Sequence, residues 1–394
     1  VSVNLLPFHD WLVKLRRHFH QFPELAYQEE KTAAKICEVL SSLDVPFQSN
    51  IGKTGIVAKL TAANPGQIIA FRADMDALKI EEANDLPYKS QHPGLMHACG
   101  HDGHITIGLG IIRNLIEQGW RETGKGEMVF IFQPAEEGGA GAKAMIDSGV
   151  FDSMPVDAIF AGHFHPEYPT GDVSIAHGTS NAAADSFRIT LKGKGGHGAH
   201  PYQCKDVILI GAYLITQMQA LVSREISALD SVVITIGRFH AGTASNIIPE
   251  EAVLDGTIRT LTEEIRQQTF RRIRELLNGI ELAYGIFADL HIFDGYPVLN
   301  NHPELAKHAQ ACADTILGQS HVHAERPRMG AEDFAYFCQR WRGMMMGIGC
   351  HDPAKGFQHG LHSPHFDLDE RALDAAVSVF SLMLTAYNTS SLWE

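Results

Sequence analysis

His97-Ala98-Cys99-Gly100-His101-Asp102-Gly103-His104 puts three imidazoles, a thiol and a carboxylate on adjacent turns of chain. Thiolate and imidazole donors suit zinc, or a similar first-row divalent ion, better than magnesium or calcium. The two glycines let the backbone turn tightly enough for neighbouring side chains to converge. A lone histidine is usually an incidental polar residue. A thiol and an imidazole two positions apart, with more of both beside them, read as a metal site. Further donors are Glu136 and Glu137, His163, and a late stretch Gly360-Leu361-His362-Ser363-Pro364-His365-Phe366. A single zinc takes three or four ligands, so a set of Cys99, His101, Glu136, Glu137, His163 and one late residue points to two ions. Paired divalent ions can polarise a carbonyl or phosphoryl oxygen and activate a water. Neighbouring glutamates point different ways, so one of Glu136 and Glu137 can ligate. The other can take the water's proton and return it to a leaving amine. An isolated Glu-Glu pair would otherwise read as an exposed acidic turn.

Strands and helices must bring these residues together. Apolar runs at 55–60, 67–71, 128–132, 158–161 and 343–348 read as strands, and helical spacing marks 8–20, 29–42, 105–117 and 140–147. Strands alternating with helices predict a mostly parallel sheet flanked by helices, an α/β fold. Function in such sheets gathers beyond the carboxyl ends of the strands, and Asp74, Asp76, Glu136, Glu137 and His163 each follow such a run. From residue 185 the pattern changes to strand 186–192, helix 205–223, strands 231–239 and 250–261, helix 263–283 and strand 287–293. That β-α-β-β-α-β order predicts an inserted ferredoxin-like α+β domain. The expected organisation is therefore 1–184, 185–295 and 296–394, the first and last forming one domain. Arg16, Arg17, His18 and His20 read as a solvated helix end.

The totals agree with a two-domain globular protein of 394 residues, 45% hydrophobic and 20% charged. A formal net charge of −14 argues against nucleic acid as a partner. Six cysteines without paired spacing fit reduced thiols and a cytoplasmic location. Residues 1–11 carry neither a basic stretch nor a long apolar run, so no signal peptide is expected there. No run of eighteen apolar residues occurs, so no membrane span or membrane partner is expected.

Several motifs stand along the chain in a fixed order. They are Arg17-His18-Phe19-His20-Gln21-Phe22-Pro23-Glu24-Leu25, the 97–102 cluster, Gln133-Pro134-Ala135-Glu136-Glu137-Gly138 and Gly162-His163. Gly193-Lys194-Gly195-Gly196-His197, Gly256-Thr257-Ile258-Arg259-Thr260, Gly330-Ala331-Glu332-Asp333-Phe334 and Leu361-His362-Ser363-Pro364 follow. Over nearly its whole length the chain resembles the aminoacylase/carboxypeptidase superfamily of dinuclear metallohydrolases. The resemblance is to its amidohydrolase branch of hippurate hydrolases, indoleacetyl-amino-acid hydrolases and N-acetyl-amino-acid deacetylases.

The resemblance implies that Cys99, His101, Glu137, His163 and His362 hold two divalent ions, zinc or manganese first, with cobalt or nickel as alternatives. It implies Glu136 as general base and Asp76 as an aspartate orienting a ligand. Related branches bridge the two metals with an aspartate, a place that Cys99 or His101 fills here. His197, on the inserted lid domain, matches a histidine that reaches the partner subunit's site and steadies the oxyanion. Asn246 and Arg259 match positions that grip the substrate carboxylate. A homodimer through 185–295, possible also as a tetramer, is implied. His104, His165, His200 and His365 lie beside motif residues; each reads first as a hydrogen-bonded surface or core histidine, with support of a ligand from behind as the alternative. Residues 177–184 depart from the usual spacing where the acyl group or side chain is read. The expected activity is hydrolysis of the amide bond of small-molecule N-acyl amino acids of acetyl, benzoyl or aryl-acyl type, releasing a carboxylic acid and a free amino acid. The alternatives are a dipeptidase or carboxypeptidase of the same superfamily and a non-catalytic metal-binding scaffold.

Overall fold

The computed structural model describes residues 4–387. The chain divides into two units. One comprises residues up to Ser180, Asn300–Arg326 and Asp333 onward; the other is Asn181–Leu299 with Pro327–Glu332. Residues 327–332, expected with the C-terminal part of the first unit, thus pack with the second.

The first unit is built on an eight-stranded sheet. Across it run Phe47–Ile51, Gly55–Thr61, Lys125–Gln133, Asn64–Asp74, Ala158–Pro169, Gly343–His351, Val173–Ile175 and Val322–Ala324. The four central strands are parallel to one another. Antiparallel pairings join them to the flanks. Central parallel strands are covered on both faces and so read as unbroken apolar runs. Met128, Val129, Phe130, Ile131 and Phe132 are all buried, as are Met344, Met345, Met346 and Ile348. Helix His101–Glu117 is buried along almost its whole length and lies against helices His9–Gln21 and Arg371–Tyr387. The strands extend beyond their apolar runs. Ala158–Pro169 continues because Gly343–His351 keeps pairing with it, Gly347 opposite His163 and Gly349 opposite His165. His163 therefore lies within a strand rather than after one.

The second unit carries a four-stranded antiparallel sheet in the order Val232–Ala241, Glu251–Thr260, Ala183–Lys192, Phe287–Tyr296. Its first strand sits centrally between its third and fourth, the ferredoxin-like order. Helix Val207–Arg224 starts at Asp206, whose carboxylate accepts from the Ile208 and Leu209 amides at 3.0 and 3.2 Å. Helix Glu263–Tyr284 starts at Thr262 in the same manner. By length and composition Val207–Arg224 could cross a membrane. Its Val207, Ile210, Leu214, Met218 and Leu221 stripe is instead buried in this unit's own core.

The reading of Arg16 and His20 as solvated is overturned, since both are fully buried. Partners far along the chain make this possible. Arg16 lies 2.9 Å from Asp102 and 2.7 Å from Asp367. His20 Nδ1 lies 2.7 Å from Asp102, and its Nε2 3.3 Å from Glu82. Burial by itself would raise the Asp102 carboxyl, but Arg16 and His20 outweigh it and hold it far below the usual range. A depressed carboxylate adds stability that is present above its unfolded pKa, about 4, and lost as pH falls below that value. Asp102→Asn is expected to cost about 3 kcal/mol at neutral pH, because it leaves Arg16 underpaired in the interior. Denaturant unfolding checks this, and the gap from wild type should narrow as pH drops below about 4.

Candidate active site

Three pieces of backbone converge beyond the carboxyl ends of the central strands. Helix His101–Glu117 begins abruptly at Gly100, whose φ is +86°. A Cβ at Gly100 would come within 2.9 Å of the Phe164 ring, and one at Gly103 within 2.4 Å. Only glycine lets this loop press so closely on the strand that carries His163. His362, at φ +62°, is tied to the loop by its amide, which donates to Ala98 O at 2.8 Å. The turn holding Glu136 and Glu137 is shaped by buried acids. Glu29 Oε1 accepts from the Ala135 amide at 2.9 Å. Asp76 accepts from the Glu136 and Glu137 amides at 2.9 and 3.0 Å through its two oxygens.

Donor atoms of Cys99, His101 and His163 lie within 4.8 Å of one another, and so do those of Cys99, Glu137 and His362. A further group joins His101, Glu136 and Glu137 at the same limit. Cys99 Sγ is 3.5 Å from His163 Nε2, and His362 Nε2 is 3.1 Å from Glu137 Oε1. All five expected ligands and Glu136 are thus in one place, and Cys99 is common to the two sulfur-containing groups. Asp76 sits behind them, its Oδ1 3.4 Å from His101 Nδ1.

The donor set suits divalent cations. His101 is fully buried, yet its Nε2, 3.7 Å from Asp74 Oδ2, makes no hydrogen bond among the described residues. Such orphaned atoms are rare in folded proteins unless something else satisfies them. His163 Nδ1 donates to Phe164 O at 2.9 Å, which leaves the Nε2 lone pair directed towards Cys99. Sulfur, imidazole and carboxylate together match the chemistry of zinc and its neighbours.

The electrostatics agree. Burial opposes protonation of His101, but Asp74, Asp76 and Glu137 outweigh it and push its pKa up to about 10. Burial, with Glu137 and Glu136 close by, pushes the Cys99 thiol well above its ordinary value. Burial resists the Glu137 charge, but His362 and His101 overcome it and lower the carboxyl. Burial holds His163 neutral, far below the usual imidazole range. These directions favour a proton on His101 and on Cys99.

The three remaining expected residues lie in the second unit. His197 is exposed in the short strand Gly196–His197, paired with Ile247, and its Nδ1 accepts from the Ala199 amide at 3.0 Å. Asn246 adjoins it through its carbonyl, which accepts from Gly198 N at 2.8 Å. Arg259 stands apart from them on strand Glu251–Thr260, opposite Ala184 and Val233. Of the neighbouring histidines, His104 is buried and His165 half-buried, both hydrogen-bonded, whereas His200 and His365 are exposed.

Sequence reasoning gave no role to Glu29, Arg72, Gln133 or Asp333. Arg72 is buried and donates to Gln133 Oε1 at 2.7 Å, Asp74 Oδ2 at 2.6 Å and Asp333 Oδ1 at 2.9 Å. Gln133 and Asp333 stand inside two of the motifs that carry the family resemblance, a signal that could have marked them. Glu29 carries no such mark.

The sequence matches the family described as Peptidase family M20/M25/M40 over residues 70–386. YhaA of Bacillus subtilis (strain 168) is 40% identical over 380 residues, 96% of this chain and 94% of YhaA. An N-acetyldiaminopimelate deacetylase of Bacillus velezensis is 39% identical over 370 residues, covering 93% of this chain and 96% of the relative. The crystal structure of Bacillus subtilis YXEP, described as a dinuclear metal-binding peptidase of family M20, superposes with a TM-score of 0.85 at 32% identity. It covers 97% of this chain and 99% of the other.

A cation entering the cleft must displace protons from Cys99 and His101, so metal uptake is expected to release protons and to tighten as pH rises. Calorimetric titration in buffers of different ionisation enthalpy checks this. Affinity that stays constant from about pH 6 to about pH 8 would contradict it.

Proposed function

We propose that this chain, which belongs to peptidase family M20/M25/M40 and is a metal-dependent amidohydrolase, cleaves the amide bond of N-acyl amino acids with a small acyl group, acetyl foremost. Cys99, in reach of both His101 with His163 and Glu137 with His362, carries the reading. Cys99, His101, Glu137, His163 and His362 would hold two divalent ions, zinc or manganese first among the candidates and cobalt or nickel next. When bound, the ions supply Lewis acidity to the amide carbonyl and lower the pKa of a water.

The protein's own groups do the rest. Glu136 is buried beside His101 and Glu137, within reach of the water's proton. It takes that proton as the new C–O bond forms and delivers it to the nitrogen as the C–N bond breaks. A carboxylic acid and a free amino acid leave. Asp76 keeps Glu136 and Glu137 in place through their amides. Arg259 and Asn246 are assigned to the substrate carboxylate, which a planar guanidinium can grip at both oxygens. His197 is assigned to the oxyanion of a neighbouring subunit's substrate.

A homodimer through the second unit is supported by exposed Ile208, Leu209 and Tyr213 on helix Val207–Arg224. Six unpaired cysteines fit a reducing cytoplasm. The acetyl preference is supported by the relatives named N-acetyldiaminopimelate deacetylases.

Glu136→Gln is expected to keep its metal content and lose turnover by a factor on the order of 10²–10⁴. Near-normal turnover in that variant removes Glu136 from the role. On a panel of acetyl-, benzoyl- and aminoacyl-amino acids, acetyl substrates should give the highest kcat/KM. Preference for aminoacyl substrates indicates a dipeptidase instead. Binding without amine release at full metal occupancy indicates a scaffold.

A further inference from the structure

Asp74, His101 and His104 form another buried group with donor atoms within 4.8 Å of one another. Its hydrogen bonds give His104 a different task from ligation. His104 Nε2 lies 3.1 Å from the Phe164 amide, which can only donate, so Nε2 is the acceptor. Its Nδ1, 2.6 Å from Asp74 Oδ1, is then the protonated nitrogen of a neutral ring. Both nitrogens are occupied, and neither has a lone pair for an ion. Asp74 is itself fixed from behind, because its other oxygen accepts from Arg72 at 2.6 Å.

Phe164 lies where the sheet runs out on one side. Strand Asn64–Asp74 pairs with Ala158–Pro169 only as far as Arg72 opposite Ala161. His104 Nε2 supplies the Phe164 amide with an acceptor beyond that point, in an interior where an unpaired N–H is costly. The Phe164 carbonyl, in turn, takes the proton of His163 Nδ1 at 2.9 Å. The Phe164 ring stacks on His104, with centroids 5.1 Å apart and planes 16° from parallel. An unbroken run of contacts therefore leads from Arg72 through Asp74, His104 and the Phe164 backbone to His163.

We propose that His104 is a positioning residue for His163: by clamping the Phe164 backbone it sets the ring orientation that presents His163 Nε2 to the cleft. This rests on the reading that His163 holds an ion, and it goes beyond that reading in naming what aims the ligand.

The test compares His104→Asn, His104→Gln and His163→Ala in cobalt titrations followed by visible absorption, with thermal melts confirming that each is folded. Asparagine can still donate to Asp74 but cannot reach the Phe164 amide, whereas the longer glutamine can offer that amide an oxygen. His163→Ala should lose one of two ions. His104→Asn should bind that same ion about 10–100-fold more weakly, and His104→Gln should recover most of the loss. Wild-type affinity in His104→Asn, or equal weakening in both variants, overturns the proposal while leaving the ligand reading intact. Two tightly held ions in His163→Ala overturn the ligand reading itself.

Should the Asn variant fail to fold, imidazole ¹H–¹⁵N spectra of the zinc-loaded wild type, with His104 assigned through the Gln variant, decide the matter. A neutral, unmetallated Nδ1–H ring is expected, and an Nε2–H or metal-bearing ring overturns the proposal.

Discussion

Negative charge gathered out of reach of water is the constraint on which this structure turns. Asp74, Asp76 and Glu136 are buried within a few ångströms of His101. A buried ionised group persists only where something compensates it. The fold meets the demand in two ways. Behind the cleft compensation is permanent, with Arg72 placed between Asp74 and Asp333 and backbone amides aimed at both oxygens of Asp76. In front it is exchangeable: Cys99, His101, Glu137, His163 and His362 make few fixed bonds beyond one another. Protons can occupy this front layer, and so can cations.

The same division explains why the site sits where it does. Neighbouring parallel strands end together, with Asp74 opposite Gln133. Asp74 closes one strand, Gln133 closes its neighbour, and Glu136 follows within a turn. Helix His101–Glu117 presents its first residue to the same place and is packed on nearly all sides. Rigid elements thus set the ligands, and the late segment around His362 is tied in by backbone bonds from the His362 amide to Ala98 O and from the Ala83 amide to Pro364 O.

What could be read from the sequence was whatever is local. Cys99 with His101 and Glu136 with Glu137 announce themselves because spacing alone places them together. The ferredoxin-like unit was visible because alternation and helical spacing are properties of short windows. Interactions between distant positions were not visible. Arg16 resembles any charged residue of an amphipathic helix, and nothing nearby says that Asp102 and Asp367 will enclose it. Glu29 reaches Ala135 across 106 positions, and no local pattern encodes that pairing. Strand ends were misjudged for a related reason. Hydrophobicity marks where a strand is buried, whereas pairing partners decide how far it continues, as Gly343–His351 does for the strand bearing His163.

Anomalous diffraction at the absorption edge of a loaded ion tests the central claim most directly. Crystals equilibrated with zinc or manganese should show two peaks per chain on either side of Cys99 Sγ. One should lie beside His163 Nε2 and the other between Glu137 and His362. A single peak, or peaks that leave Cys99 uncoordinated, would contradict the account.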